Sequence, residues 1–120
     1  MKKIYLACPY TAKDNPYLEE YRFETITNLA GIIMKKYNYL VLSTITHCHP
    51  IALATDLPTD YFYWQAFNYS FIDWCDELWC ATLDGWTKSD GIKDDIVYAL
   101  SQQKGLKLIS QFGEILWPKE

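Results

Sequence analysis

Several stretches of this 120-residue chain place reactive side chains close together. The richest is Asp84-Gly85-Trp86-Thr87-Lys88-Ser89-Asp90-Gly91-Ile92-Lys93-Asp94-Asp95, with carboxylates, a hydroxyl and two glycines. Running from a strand end into a helix start, it would offer free amides and a positive dipole to a phosphate or carboxylate. A carboxylate in the first turn of such a helix stays ionised, as a nucleophile must. The same residues also suit a helix with no ligand, Ser89 or Asp90 capping it while Asp94 and Asp95 complement its dipole. In Thr46-His47-Cys48-His49-Pro50, two histidines one residue apart share a face if the segment is extended, with Cys48 pointing the other way. No third metal ligand is evident, so polar contacts to a ligand or subunit are the expected role, not a metal site. Cys8-Pro9-Tyr10 reads as a tight exit turn with a packed tyrosine.

These residues need elements to hold them. Ile4-Tyr5-Leu6-Ala7 is a short apolar run that Cys8-Pro9 ends, as a buried strand requires. From Tyr17 the apolar residues Ile26, Leu29, Ala30, Ile33, Met34 and Tyr37 recur at helical spacing. Residues 39–42 read as a second strand and residues 43–59, with Pro50 and Pro58, as an irregular segment. Thr59 or Asp60 caps a helix whose Trp64, Phe67, Phe71 and Trp74 recur every three or four residues. Residues 77–83 form a third strand, 84–89 a loop, 91–103 a helix with Ile92, Ile96, Ala99 and Leu100 on one face, and 106–109 a fourth strand. The tail from Gln111 fits no single element. The alternation predicts an α/β fold, a parallel sheet with helices on both faces, with ligands outside the strands' carboxyl ends. The loops that matter are then 8–16, 43–58 and 84–90.

Composition narrows the class. Half of the residues are apolar, and five glycines and five prolines are too few for a disordered or fibrous chain. One domain spanning residues 1–120 is expected at this length. A net charge of −4 argues against a nucleic acid polymer as partner, while leaving room for a small anion at one site. No apolar run approaches the length of a membrane span, so no membrane partner is expected. Cys8, Cys48, Cys75 and Cys80 form no CxxC pair, which predicts reduced thiols and a cytoplasmic location. No GxGxxG or P-loop pattern occurs. The aromatic run from Tyr61 to Trp74 exceeds what one core face needs and suggests a subunit contact.

In order and spacing, Tyr5-Leu6-Ala7-Cys8-Pro9-Tyr10, Ser43, His47-Cys48-His49-Pro50-Ile51, Trp64-Gln65, Cys75-Asp76-Glu77-Leu78-Trp79, Leu83-Asp84-Gly85-Trp86 and Ser89-Asp90-Gly91 resemble the nucleoside 2-deoxyribosyltransferase superfamily. Within it they resemble a small bacterial and phage branch of uncharacterised domains. The resemblance implies a three-layer, flavodoxin-like or Rossmann-like sandwich with a parallel sheet of four to five strands, assembled as a homodimer or higher homo-oligomer. It implies a carboxylate four residues after the loop glycine that attacks C1′ of a 2-deoxyribose, which is Asp95 counted from Gly91. Ser89, two before that glycine, matches the phosphate-binding serine of hydrolases acting on nucleoside 5′-monophosphates. Tyr10, His47, His49, Asp84 and Gly91 would join it in binding a nucleotide or nucleoside, with no metal or organic cofactor. Departures are that Asp95 replaces a usual Glu, Asn68 stands where an acidic group is common, and the tail lacks the transferases' Asn. The expected activity is N-glycosidic hydrolysis or deoxyribosyl transfer, with non-catalytic binding of a nucleotide or ribose phosphate as the alternative.

Overall fold

Strands that are apolar at nearly every position must be covered on both faces, and the computed structural model, which describes residues 1–119, shows that arrangement. The elements in chain order are β1 (Lys3–Ala7), α1 (Pro16–Tyr37), β2 (Leu40–Leu42), α2 (Thr44–Thr55), α3 (Tyr61–Trp74), β3 (Glu77–Ala81), a short 3-10 turn (Trp86–Lys88), α4 (Asp90–Ser101), β4 (Gly105–Ile109) and β5 (Ile115–Trp117). The sheet order is β2-β1-β3-β4-β5. The first four strands are parallel. β5, from the tail that fitted no element, pairs antiparallel with β4, so the sheet is mixed rather than wholly parallel. It covers an edge that β4 would otherwise expose.

Alternation along the strands divides the core in two. Ile4, Leu6, Trp79 and Ala81 pack against Ile26, Leu29, Ala30 and Ile33 of α1. Tyr5, Ala7, Leu78 and Cys80 face the other way, against Ile72 of α3 and Ile92 and Ala99 of α4. A side-chain period of two therefore sends Tyr5 towards α3 and α4 while its neighbours build the α1 side. The four cysteines are free and buried. Burial pushes the thiols of Cys75 and Cys80 up to about 11 and about 12, which makes them inert core groups.

Each helix begins on a side-chain cap. Asn15, Ser43, Asp60 and Ser89 accept from the amides of Leu18, Thr46, Tyr63 and Ile92. The Ser43 cap starts a helix where an irregular segment was expected. Residues 44–55 are helical although Pro50 lies inside and leaves the Thr46 carbonyl without its intrahelical partner. Two histidines, three threonines and a proline hide the helical signal, and burial of Thr44, Cys48, His49 and Ala52 supplies the stabilisation instead. The aromatic residues of α3 also differ from expectation. The buried positions are Asn68 and Ile72, whereas Phe67 and Trp74 are about half exposed. Met34 and Leu100, placed on apolar faces by spacing, are exposed as well.

Candidate active site

Two neighbouring strands whose connections leave in opposite directions open a crevice at their carboxyl ends. Here they are β1 and β3, since β1 leads to β2 on one side and β3 lies on the other. A cavity of about 740 Å³ fills that crevice, and Tyr10, Arg22, His49, Asn68, Ser89 and Asp95 are among its walls. Arg22 ties the rim together. Its guanidinium donates to the carbonyls of Tyr10 and Thr11 at 3.3 Å and of Asp84 at 3.5 Å, joining the loops after β1 and β3.

Asp95 lies in the second turn of α4, 5% exposed. The phenol of Tyr5 donates to its Oδ2 at 3.0 Å, and that of Tyr61 to its Oδ1 at 2.8 Å. Tyr61 also bonds Asp94, which further accepts from Tyr69 at 2.6 Å and Gln65 at 3.1 Å. Burial pushes the Asp95 carboxyl up to about 7, with the Asp94 charge adding to it, and the two phenols offset only part of this rise. The expectation of a first-turn carboxylate kept ionised by the dipole is therefore corrected: the residue sits a turn deeper, where loss of water outweighs the helix field. Burial acts upward on Asp94 too, but the bonds from Tyr61, Tyr69 and Gln65 hold it below the usual carboxylate range. Both tyrosines stay protonated, since burial and the carboxylates push Tyr5 and Tyr61 far upward.

The close approach of Tyr61 depends on Gly91. A Cβ there would lie 2.8 Å from Cδ1 of the Tyr61 ring, inside contact distance. Gly85, at φ +89, is the loop's left-handed residue.

A model of the family described as a domain of unknown function (DUF1937) matches residues 2–111. The chain belongs to that family. Comparison with curated proteins gives no match. Among solved structures, the DUF1937 chain is similar to a 2-desoxiribosyltransferase from Leishmania mexicana, with TM-score 0.52 and 19% identity, covering 92% of this chain and 65% of that one. It is also similar to a 2-deoxyribosyltransferase from Bacillus psychrosaccharolyticus, with TM-score 0.57 and 19% identity, covering 95% and 76%. The chain thus spans just under two thirds of the first of these proteins. It has the 2-deoxyribosyltransferase fold, with one strand antiparallel.

Within the DUF1937 chain, the residues singled out from sequence separate into two groups. Tyr10, His49, Asn68, Ser89, Gly91 and Asp95 meet in the cavity. His47 and Asp84 do not line it; both are exposed, and Asp84 takes part in the rim through its carbonyl. On a helix, residues two apart point about 200° apart rather than to one face, so His47 faces solvent while His49 and Cys48 are buried. Ser89 does cap α4, accepting from Ile92 at 3.3 Å. Asn68 is 7% exposed, and among the described residues its amide makes no side-chain hydrogen bond, so it faces the cavity unengaged. Among those residues no group of three His, Cys, Asp or Glu side chains suits a metal.

Sequence reasoning assigned no role in the site to Tyr61, Glu20 or Arg22. Tyr61 follows the cap Asp60 directly, a position that signals a helix start and nothing more. Tyr5 alone had a usable signal, because strand alternation puts it opposite Leu6.

Proposed function

We propose that this protein cleaves the N-glycosidic bond of a (deoxy)nucleoside 5′-monophosphate through Asp95. The supporting observation is a buried carboxylate that two phenols aim into a nucleotide-sized cavity. Asp95 attacks C1′ and the base departs with the bonding electrons. Water then resolves the glycosyl ester, or a second base does so in transfer. Tyr5 and Tyr61 steady the carboxylate, and the Asn68 amide orients the base or sugar. Ser89 still has its hydroxyl proton to donate after capping α4. The Ile92 and Lys93 amides bond Ser89, which leaves those of Asp90 and Gly91 for a phosphate. A cytoplasmic location and a homodimer through the exposed side of α3 belong to the same reading.

The fold of two deoxyribosyltransferases supports this class of chemistry. A chromatographic assay for free base across nucleosides and their 5′-monophosphates tests it. Wild type is expected to release base from monophosphates and Asp95→Asn to lose about 10³-fold or more. No release from any member refutes cleavage of the N-glycosidic bond.

A second reading, non-catalytic binding of a nucleotide or ribose phosphate, draws on Asn68, which cannot act as an acid, and on the half-protonated state of Asp95 near neutrality. It predicts ligand-induced thermal shifts without base release.

A further inference from the structure

Departure of a base from C1′ leaves an electron pair on its nitrogen, and the rate gains when a proton meets that pair. Asn68 cannot supply one. On the cavity wall, however, Tyr10 and His49 begin a three-residue chain that the reading above does not use. The Tyr10 hydroxyl lies 2.5 Å from Nδ1 of His49, and Nε2 of the same ring lies 2.6 Å from Oε2 of Glu20. His49 is 4% exposed and stacks on Phe23 at 4.4 Å, so its ring orientation is fixed. Glu20 is half exposed and connects the chain to solvent.

The imidazole's protonation state sets what Tyr10 presents to the cavity. With neutral His49, Nε2–H donates to Glu20 and Nδ1 accepts the phenol proton, so Tyr10 shows only lone pairs. With cationic His49, Nδ1–H donates to the phenol oxygen and the Tyr10 O–H turns into the cavity. The groups around the ring are Glu20 and Phe23 from α1, Tyr10 from the loop after β1, and Cys48 on α2. Glu19 and Arg22 lie behind Tyr10, and Arg22 holds its carbonyl.

We propose that Tyr10 is the proton donor to the departing base, with His49 and Glu20 as positioning residues that supply and hold the proton. The proposal rests on the assignment of Asp95 as nucleophile. As the Asp95–C1′ bond forms and the C1′–N bond breaks, the base takes the Tyr10 proton and the phenol takes that of Nδ1. His49 ends neutral, its Nε2–H still on Glu20. In the second step water attacks C1′, the ester bond electrons return to Asp95, and the water proton passes through Tyr10 to Nδ1. Water and nucleotide are converted to sugar phosphate and protonated base, with the chain restored.

The test compares two leaving groups: the best monophosphate of the base-release panel, and 4-nitrophenyl 2-deoxyribofuranoside 5-phosphate, whose nitrophenolate leaves without a proton. Tyr10→Phe and His49→Gln are expected to slow base release by about 10²–10⁴-fold and nitrophenolate release by less than about fivefold. Glu20→Gln, at a half-exposed position, is expected to slow base release by about tenfold and to leave nitrophenolate release within about twofold, because the relay loses the carboxylate that holds Nε2–H. Equal losses on both substrates in these variants overturn the proposal and leave Asp95 as nucleophile. So does a wild type that frees nitrophenolate but no base. Failure of the Asp95 reading looks different: wild type frees neither group, or Asp95→Asn frees both at the wild-type rate, and the proposal falls with it.

Discussion

Burying Asp95 has a cost in stability. Its carboxyl titrates at about 7 in the folded chain and near 3.9 unfolded, so between those values the folded state binds the extra proton. Stability is therefore lost as pH rises from about 4 to 7, and the loss is complete above that range. Asp95→Asn is expected to be more stable than wild type by about 2–4 kcal/mol at pH 8 and equal to it near pH 4, which denaturant unfolding at both pH values measures. The nucleophilic role proposed for Asp95 needs the ionised form, so kcat/KM is expected to rise with pH through about 7. Tyr5→Phe removes a donor that favours the charged form. Its acid limb should shift to higher pH, with activity at pH 7 down about tenfold. An unmoved limb would mean that the Tyr5 bond does not govern the ionisation.

At the scale of elements, α3 and α4 meet where Tyr61 lies over Gly91. Alanine in place of a helical glycine normally gains up to about 1 kcal/mol. Here the added Cβ would strike a ring whose hydroxyl is tied to Asp94 and Asp95, so the ring cannot simply swing away. Gly91→Ala is expected to be destabilised by about 1 kcal/mol or more and to lose most activity; unchanged melting and turnover would sink that account. The helices and strands themselves were legible wherever burial imposes a period. Ile26, Leu29 and Ile33 mark α1, and the apolar runs at 4–7 and 78–81 mark β1 and β3. α2 was not, because its inward face is Thr44, Cys48 and His49 rather than a run of aliphatics. The site was half legible for a related reason. The family resemblance, counted from Gly91, reaches Asp95 and Ser89, but nothing local links Tyr61 to a carboxylate 34 residues away or Glu20 to a histidine 29 away.

At the scale of the molecule, no helix among the described residues is long and apolar enough to cross a membrane. The unusual surface belongs to α3, where Phe62 is 80% exposed and borders the cavity and, on another side of the helix, Phe67 and Trp74 are about half exposed. Aromatic rings on both sides of a helix are costly to leave in water. Sedimentation equilibrium is expected to give a homodimer that Phe62→Glu with Phe67→Glu converts to a monomer, whereas a monomeric wild type at micromolar concentration would refute this.

β1 carries one more consequence, for how such a chain can vary in descent. Its alternation assigns Ile4 and Leu6 to the α1 core and Tyr5 to the carboxylate. Core and chemistry are thus interleaved in a single ribbon, residue by residue. Point replacements can retune either one without disturbing the other. A single-residue insertion or deletion upstream within the strand exchanges them at one stroke, driving a phenol into the aliphatic layer and an aliphatic against Asp95. Lineages with this architecture should therefore drift by substitution in β1 and keep its length, leaving their insertions to the loops.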